Sequence, residues 1–263
     1  MEATIHGCRI FYRYEQTADS ETTPLLFLHG WGCDGSIFKF FEDRLPVSRL
    51  TVDFPGHGQS GEPLEPWGVP EYAEQIAELL KSLELAKVNI IAHSFGGRVA
   101  IYLSSHYPEL IDKMVITGGA GIRKPASETQ SRRQKQYQCM KKLLLTIGKC
   151  KLFSSLVEKG MEALRQKYGS ADYKRLNENM RKTFVKVISQ DLSEYLPSVQ
   201  ASTLLIWGSN DTETPLWMGE KMEKEIPDAG LVVFDGRTHF AFVEEPQRFL
   251  SIVKTFLLGG TES

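Results

Sequence analysis

Apolar and polar positions repeat with two different periods along this chain, and their succession predicts strands alternating with helices. Ala3 to Glu15 has a period of two, with Tyr12 and Tyr14 on one face and Phe11 and Arg13 on the other. That pattern predicts two short strands turning at Gly7. Pro24-Leu25-Leu26-Phe27-Leu28-His29 is instead an unbroken apolar run, which suits a strand covered on both faces, as in a parallel sheet. Ile37, Phe40, Phe41 and Leu45 have helical spacing, so residues 36–45 predict a helix ending before Pro46. Leu50 to Phe54 predicts a strand, Pro70 to Leu83 a helix with Pro70 near its first turn, and Val88 to Ala92 a strand. Phe95 to His106 then predicts a helix and Lys113 to Thr117 a strand. Late in the chain, Thr203 to Trp207 and Leu231 to Phe234 predict strands, while Leu216 to Glu225 and Pro246 to Leu258 predict helices.

Strands alternating with helices imply βαβ units, so the expected fold class is α/β, a mostly parallel, doubly wound sheet. In such sheets ligands bind beyond the C-terminal ends of the strands. The alternation breaks from Ile122 to Leu196, about 75 residues, which is too long for a bare loop in a compact domain. Leu143, Leu144 and Ile147, then Leu164 and Tyr168, then Phe184, Val185 and Ile188 have helical spacing, and no proline falls between Pro125 and Pro197. The expected organisation is a core domain of residues 1–121 and 197–263 with a helical cap, residues 122–196, inserted into it.

Composition adds limits. The 263 residues are 41% hydrophobic and 24% charged, an ordinary globular balance that can bury a large core without disulfides. No apolar run approaches the roughly 20 residues of a membrane-spanning helix. Met1 to His6 has neither a basic start nor a long apolar stretch, so it does not read as a secretion signal. Cys8, Cys33, Cys139 and Cys150 form no C-x-x-C pair and read as free thiols in a reducing compartment, so the expected location is cytoplasmic. Net charge is only −2, but between Ile122 and Leu196 there are 17 Lys and Arg against 7 Asp and Glu.

Four stretches carry chemistry, each just beyond a predicted strand. In Ala92-His93-Ser94-Phe95-Gly96-Gly97 a serine lies between strand and helix, with small residues two before and two after it. A sharp strand-to-helix turn needs that smallness and thrusts the hydroxyl out above the sheet, as in a nucleophile elbow. The competing reading of Ser94 is an ordinary helix N-cap. His29-Gly30-Trp31-Gly32 follows the first long strand, and the Trp31 and Phe95 N–H groups are the candidate oxyanion donors. His29 itself reads as a structural histidine bonded to loop backbone. In Trp207-Gly208-Ser209-Asn210-Asp211, Asp211 is placed to orient a histidine, with Glu213 and Asp235 as rival acids. His239, in Gly236-Arg237-Thr238-His239-Phe240, is the candidate base. The competing readings are a turn or capping aspartate and a solvated loop histidine.

Taken together, in the order Ser, Asp, His, these motifs resemble the α/β-hydrolase superfamily in its capped esterase branch, over nearly the whole span from Ile10 to Leu258. Asp53-Phe54-Pro55-Gly56-His57-Gly58-Gln59-Ser60 and Glu244-Glu245-Pro246 also match. The resemblance implies a serine hydrolase that cleaves carboxylic esters through an acyl-enzyme on Ser94, with no metal and no cofactor. The expected substrate is a small-molecule ester, and neither nucleic acid nor a membrane span is expected. Cap residues Tyr137, Phe153 and Phe184 are the candidate pocket lining. The His-Gly-Trp-Gly motif and the basic cap also resemble carboxylesterases acting on acyl groups held by an acidic carrier protein, which Lys124, Arg132, Arg133, Lys135, Lys141 and Lys142 would attract. The preferred reading of those cations is a solvated helix face, with long side chains covering apolar surface. Carbon–carbon bond hydrolases use the same triad, but they typically carry Met after the serine and Trp soon after the histidine, where this chain has Phe95 and Phe240-Ala241-Phe242. A non-catalytic ligand receptor on the same fold is the remaining alternative.

Overall fold

In a computed structural model, eight strands form one sheet in the order β1-β2-β4-β3-β5-β6-β7-β8. The structure describes residues 1–17, 22–124, 128–147, 154–168 and 171–259. The strands are β1 (Glu2–Ile5), β2 (Cys8–Glu15), β3 (Leu25–Leu28), β4 (Arg49–Val52), β5 (Val88–His93), β6 (Ile111–Thr117), β7 (Ser202–Gly208) and β8 (Ala229–Phe234). β1 pairs with β2, and β2 with β4, antiparallel; every pairing from β4 through β3 to β8 is parallel.

The parallel strands read as unbroken apolar runs because both faces are covered. Leu26, Leu28, Ile90, Ala92, Met114, Ile116, Leu205 and Trp207 point to one face, into a cluster with α2 (Val69–Ser82) and α3 (Phe95–His106). Leu25, Phe27, Ile91, Val115 and Ile206 point to the other, packing against Phe41 of α1 (Lys39–Glu42), Phe242 of α9 (Ala241–Glu244) and Phe249 of α10 (Pro246–Leu258). At about 25 cal/mol per Å² of buried apolar surface, these two layers are the main source of stability.

The helix predicted over residues 36–45 is shorter than expected. Gly35–Phe38 forms a 3-10 turn and only α1 continues it. The Asp34 carboxylate accepts from Ser36 N–H and Asp53 Oδ1 from Gly35 N–H, and these side chains hold the chain in a tight turn before the apolar residues begin.

Between β6 and β7 the described residues are helical: α4 (Glu128–Ile147), α5 (Ser154–Tyr168), α6 (Ala171–Arg175), α7 (Glu178–Ser189) and a 3-10 segment, Ser193–Ser198. Asn177 caps α7 by accepting from Met180 N–H. α8 (Trp217–Glu225) then joins β7 to β8. No described helix is long and apolar enough to cross a membrane. Cys8, Cys33 and Cys139 form no disulfide, and Cys150 lies outside the described residues.

The chain leaves β3 toward β4 on one side and leaves β5 toward β6 on the other, although β3 and β5 are neighbours. The loops after these two strands therefore diverge, and a crevice opens between them.

Candidate active site

Ser94 stands at that crevice. It has φ 49° and ψ −107°, a left-handed conformation that a non-glycine residue adopts only when its surroundings impose it. Its N–H donates to Thr117 O at 3.2 Å, and its carbonyl accepts from Gly97 N–H and Ala120 N–H. The turn is tight enough that a Cβ on Gly96 would lie 2.1 Å from Leu28 O, so only glycine lets α3 start against the end of β3. Ser94 makes no side-chain cap hydrogen bond, which removes the ordinary N-cap reading.

Asp211 and His239 meet beside it. His239 Nδ1–H donates to Asp211 Oδ2 at 2.8 Å, fixing the imidazole with Nε2 on the opposite edge. Asp211 is 4% exposed and its other oxygen accepts from Glu213 N–H and Thr214 N–H, both at 2.9 Å. Burial pushes the Asp211 carboxyl up, but the His239 hydrogen bond and charge, with the Thr214 donors, outweigh it and hold the pKa below the ordinary value. The rivals fall away: Asp235 pairs with Ser209 at 3.1 Å, and Glu213 offers Asp211 its backbone N–H.

Thr214, which the sequence did not single out, touches both members of this pair. Its hydroxyl lies 2.8 Å from Asp211 Oδ2, 2.9 Å from Gly118 O and 3.1 Å from His239 Nδ1. Its carbonyl accepts from Trp207 Nε1 at 2.7 Å, so the fully buried indole of β7 anchors the acid loop.

Ser94 and His239 line one cavity of about 750 Å³, without a hydrogen bond between hydroxyl and imidazole. Trp31, Phe95 and Phe184 line it too, and the Phe184 ring of α7 packs on Trp31 at 5.1 Å. Tyr137 is not among the lining residues: α4 packs on α5, and its ring lies 5.9 Å from Tyr168. Phe153 and the Arg133 side chain lie outside the described residues. Two other buried histidines, His29 and His93, bond backbone. His29 Nδ1–H donates to Gly30 O at 2.8 Å while Nε2 accepts from Phe54 N–H at 2.9 Å. His93 Nδ1–H donates to Thr117 O at 3.1 Å, and its ring packs 4.7 Å from that of His239.

Comparison with known proteins agrees with this architecture. Residues 23–246 match the family model described as alpha/beta hydrolase fold, and the chain belongs to that family. A pimeloyl-[acyl-carrier protein] methyl ester esterase of Vibrio vulnificus is 27% identical over 247 residues, covering 88% of this chain and 93% of the relative. Among solved structures, a hydrolase from Pseudomonas aeruginosa aligns with TM-score 0.74 and 23% identity, covering 99% of this chain and 98% of the other. A meta-cleavage product hydrolase from Pseudomonas fluorescens aligns with TM-score 0.70 and 22% identity over 97% and 96% of the two chains.

Proposed function

We propose that this protein is a serine hydrolase that cleaves carboxylic esters through an acyl-enzyme on Ser94. The observation that carries the reading is the 2.8 Å Asp211–His239 bond on the wall of the cavity that Ser94 also lines. Ser94 Oγ attacks the ester carbonyl as His239 Nε2 takes its proton. The imidazolium, stabilised by Asp211, returns that proton to the departing alkoxide. Water, deprotonated by the same imidazole, then attacks the acyl-enzyme and releases the acid and free Ser94.

The tetrahedral oxyanion is held by the Trp31 and Phe95 N–H groups. Phe95 is the first residue of α3, where N–H groups have no intrahelical acceptor. Loss of one such donor costs about 3 kcal/mol of transition-state stabilisation. Residues 122–196 act as a lid over a core of residues 1–121 and 197–263, with Phe184 as part of its apolar underside. The acyl group arrives as a small ester or on an acidic carrier protein. In support of the latter, Arg132, Lys135 and Lys142 are exposed on α4, and the Vibrio relative bears the name of a carrier-protein ester esterase.

The test is Ser94→Ala assayed on short p-nitrophenyl esters. Turnover falls by about 10⁴-fold or more with the thermal midpoint maintained, and stoichiometric fluorophosphonate labelling of the wild type is lost. Undiminished turnover in that variant rejects the assignment, and an inert Ser94 points to a receptor. Carrier-linked substrates, compared at two salt concentrations, lose their advantage at high salt if α4 recruits an acidic carrier.

A further inference from the structure

Arg98 has no role in the chemistry above, yet it lines the same cavity. It lies one helical turn beyond Ser94 on α3, so the two backbones are separated by roughly 6 Å. Arg98 is 8% exposed as a residue and lines the cavity, and a guanidinium so placed ordinarily has its charge paired. Here its one hydrogen bond runs from Nη1 to Gln190 O at 2.8 Å, and the other guanidinium N–H groups have no partner among the described residues. Among the described residues no ion pair reaches it. Asp191, whose charge acts on it, accepts at Oδ1 from the N–H and hydroxyl of Ser193 and also accepts from the Arg123 N–H. Burial draws the Arg98 pKa down to about 10, which leaves the group charged at neutral pH. The cavity wall also carries Arg123 and Lys124 against a single acid, Glu213.

We propose that Arg98 is the anchor for a carboxylate on the substrate, so that the site takes esters bearing a negative charge a few carbons from the scissile carbonyl. The unpaired face of the guanidinium offers two parallel N–H donors, the geometry that a carboxylate accepts. Its distance of one helical turn from the nucleophile leaves room for a short chain between carboxylate and carbonyl. Among the described residues Arg98 has the Gln190 carbonyl and the charge of Asp191 but no carboxylate in an ion pair with it, and the substrate supplies that partner. Screening by salt is weak at such depth, which separates this site from the exposed cations of α4.

The inference rests on the ester-hydrolase reading for its substrate but not for its binding, so two measurements are paired. Wild type and Arg98→Met are assayed on p-nitrophenyl hemisuccinate, hemiglutarate and hemiadipate, each against the neutral p-nitrophenyl ester of equal chain length. A charge-assisted pair predicts that the wild type favours the best hemiester by about tenfold or more in kcat/KM. Arg98→Met loses that preference, chiefly through KM, with less than about threefold change on the neutral ester, and Arg98→Lys is intermediate. Equal losses on charged and neutral esters would make Arg98 only a tether for Gln190 and overturn the proposal. So would a wild type that prefers neutral esters at every length. Glutarate is also titrated into both proteins by calorimetry. Binding that depends on Arg98 in a protein without turnover keeps the anion site and removes the ester reading. Absence of both binding and turnover removes the two together. Should Arg98→Met fail to fold, the wild type's own preference and its competitive inhibition by glutarate, at low and high salt, decide the matter.

Discussion

Thr214 addresses both oxygens of Asp211: its N–H donates to Oδ1 at 2.9 Å, and its hydroxyl lies 2.8 Å from Oδ2. The same hydroxyl is 3.1 Å from His239 Nδ1, so one buried side chain sets the plane of the carboxylate and the seat of the imidazole. Thr214→Val keeps the shape and deletes the hydroxyl. The hydroxyl has a single proton to share between Gly118 O and Asp211 Oδ2, so one of these buried acceptors loses its donor, a loss of about 1 to 3 kcal/mol. Turnover of p-nitrophenyl esters is expected to fall about tenfold in kcat with KM little changed, and Thr214→Ser is expected to restore most of it. A Thr214→Val variant with wild-type kcat and an unshifted pH–rate profile would show that Asp211 needs no such support.

Much of this site was legible because its parts are local. Small residues around Ser94 and an apolar run ending at His29 are visible in short windows, and each marks a strand end. His29 bonds loop backbone, as its place at the end of an apolar run suggests. Thr214 was not legible, since a threonine three residues after an acid reads as turn chemistry. Its role appears only where the ends of β6, β7 and β8 bring Gly118, Asp211 and His239 together. Arg98 was hidden for the same reason. It reads as a solvated helix position until Gln190, 92 residues later, folds over it. The segment at 36–45 shows the opposite failure. Its apolar spacing is helical, but side-chain bonds from Asp34 and Asp53 decide the backbone.

Gly96 is the position where the elbow tolerates least. A methyl group there would lie 2.1 Å from Leu28 O and 3.0 Å from His29 O, and these backbone atoms belong to the strand end that carries Trp31. Gly96→Ala must push α3 away from β3, moving Phe95 N–H relative to Trp31 N–H. The expected cost is about 3 kcal/mol of stability, with fluorophosphonate labelling of Ser94 slowed further than partial unfolding explains. Gly230→Ala serves as the control, since nothing lies within 4 Å of an added Cβ there. Equal urea midpoints for the two variants would refute the steric account.

His29 and His93 make folding sensitive to mild acid. Burial lowers both from 6.5 to about 3, with a neighbouring imidazole adding to the shift in each case. Both rings are therefore neutral in the folded protein well below the pH at which the unfolded chain protonates them. Protons favour the unfolded chain throughout that interval, so the stabilisation is complete above about pH 6.5 and drains away as pH falls toward 3. At pH 5 the loss is about 2 kcal/mol for each ring. His93→Asn retains a donor for Thr117 O while removing the titration, at the expense of ring packing against Phe240 and Phe242. Urea unfolding at pH 7 and pH 5 should show the variant less stable at pH 7 but with a decline about 2 kcal/mol smaller. The carboxylates titrate in both proteins and cancel from the comparison. An identical decline in variant and wild type would mean that His93 is already protonated in the fold at pH 5, against its burial and its single acceptor.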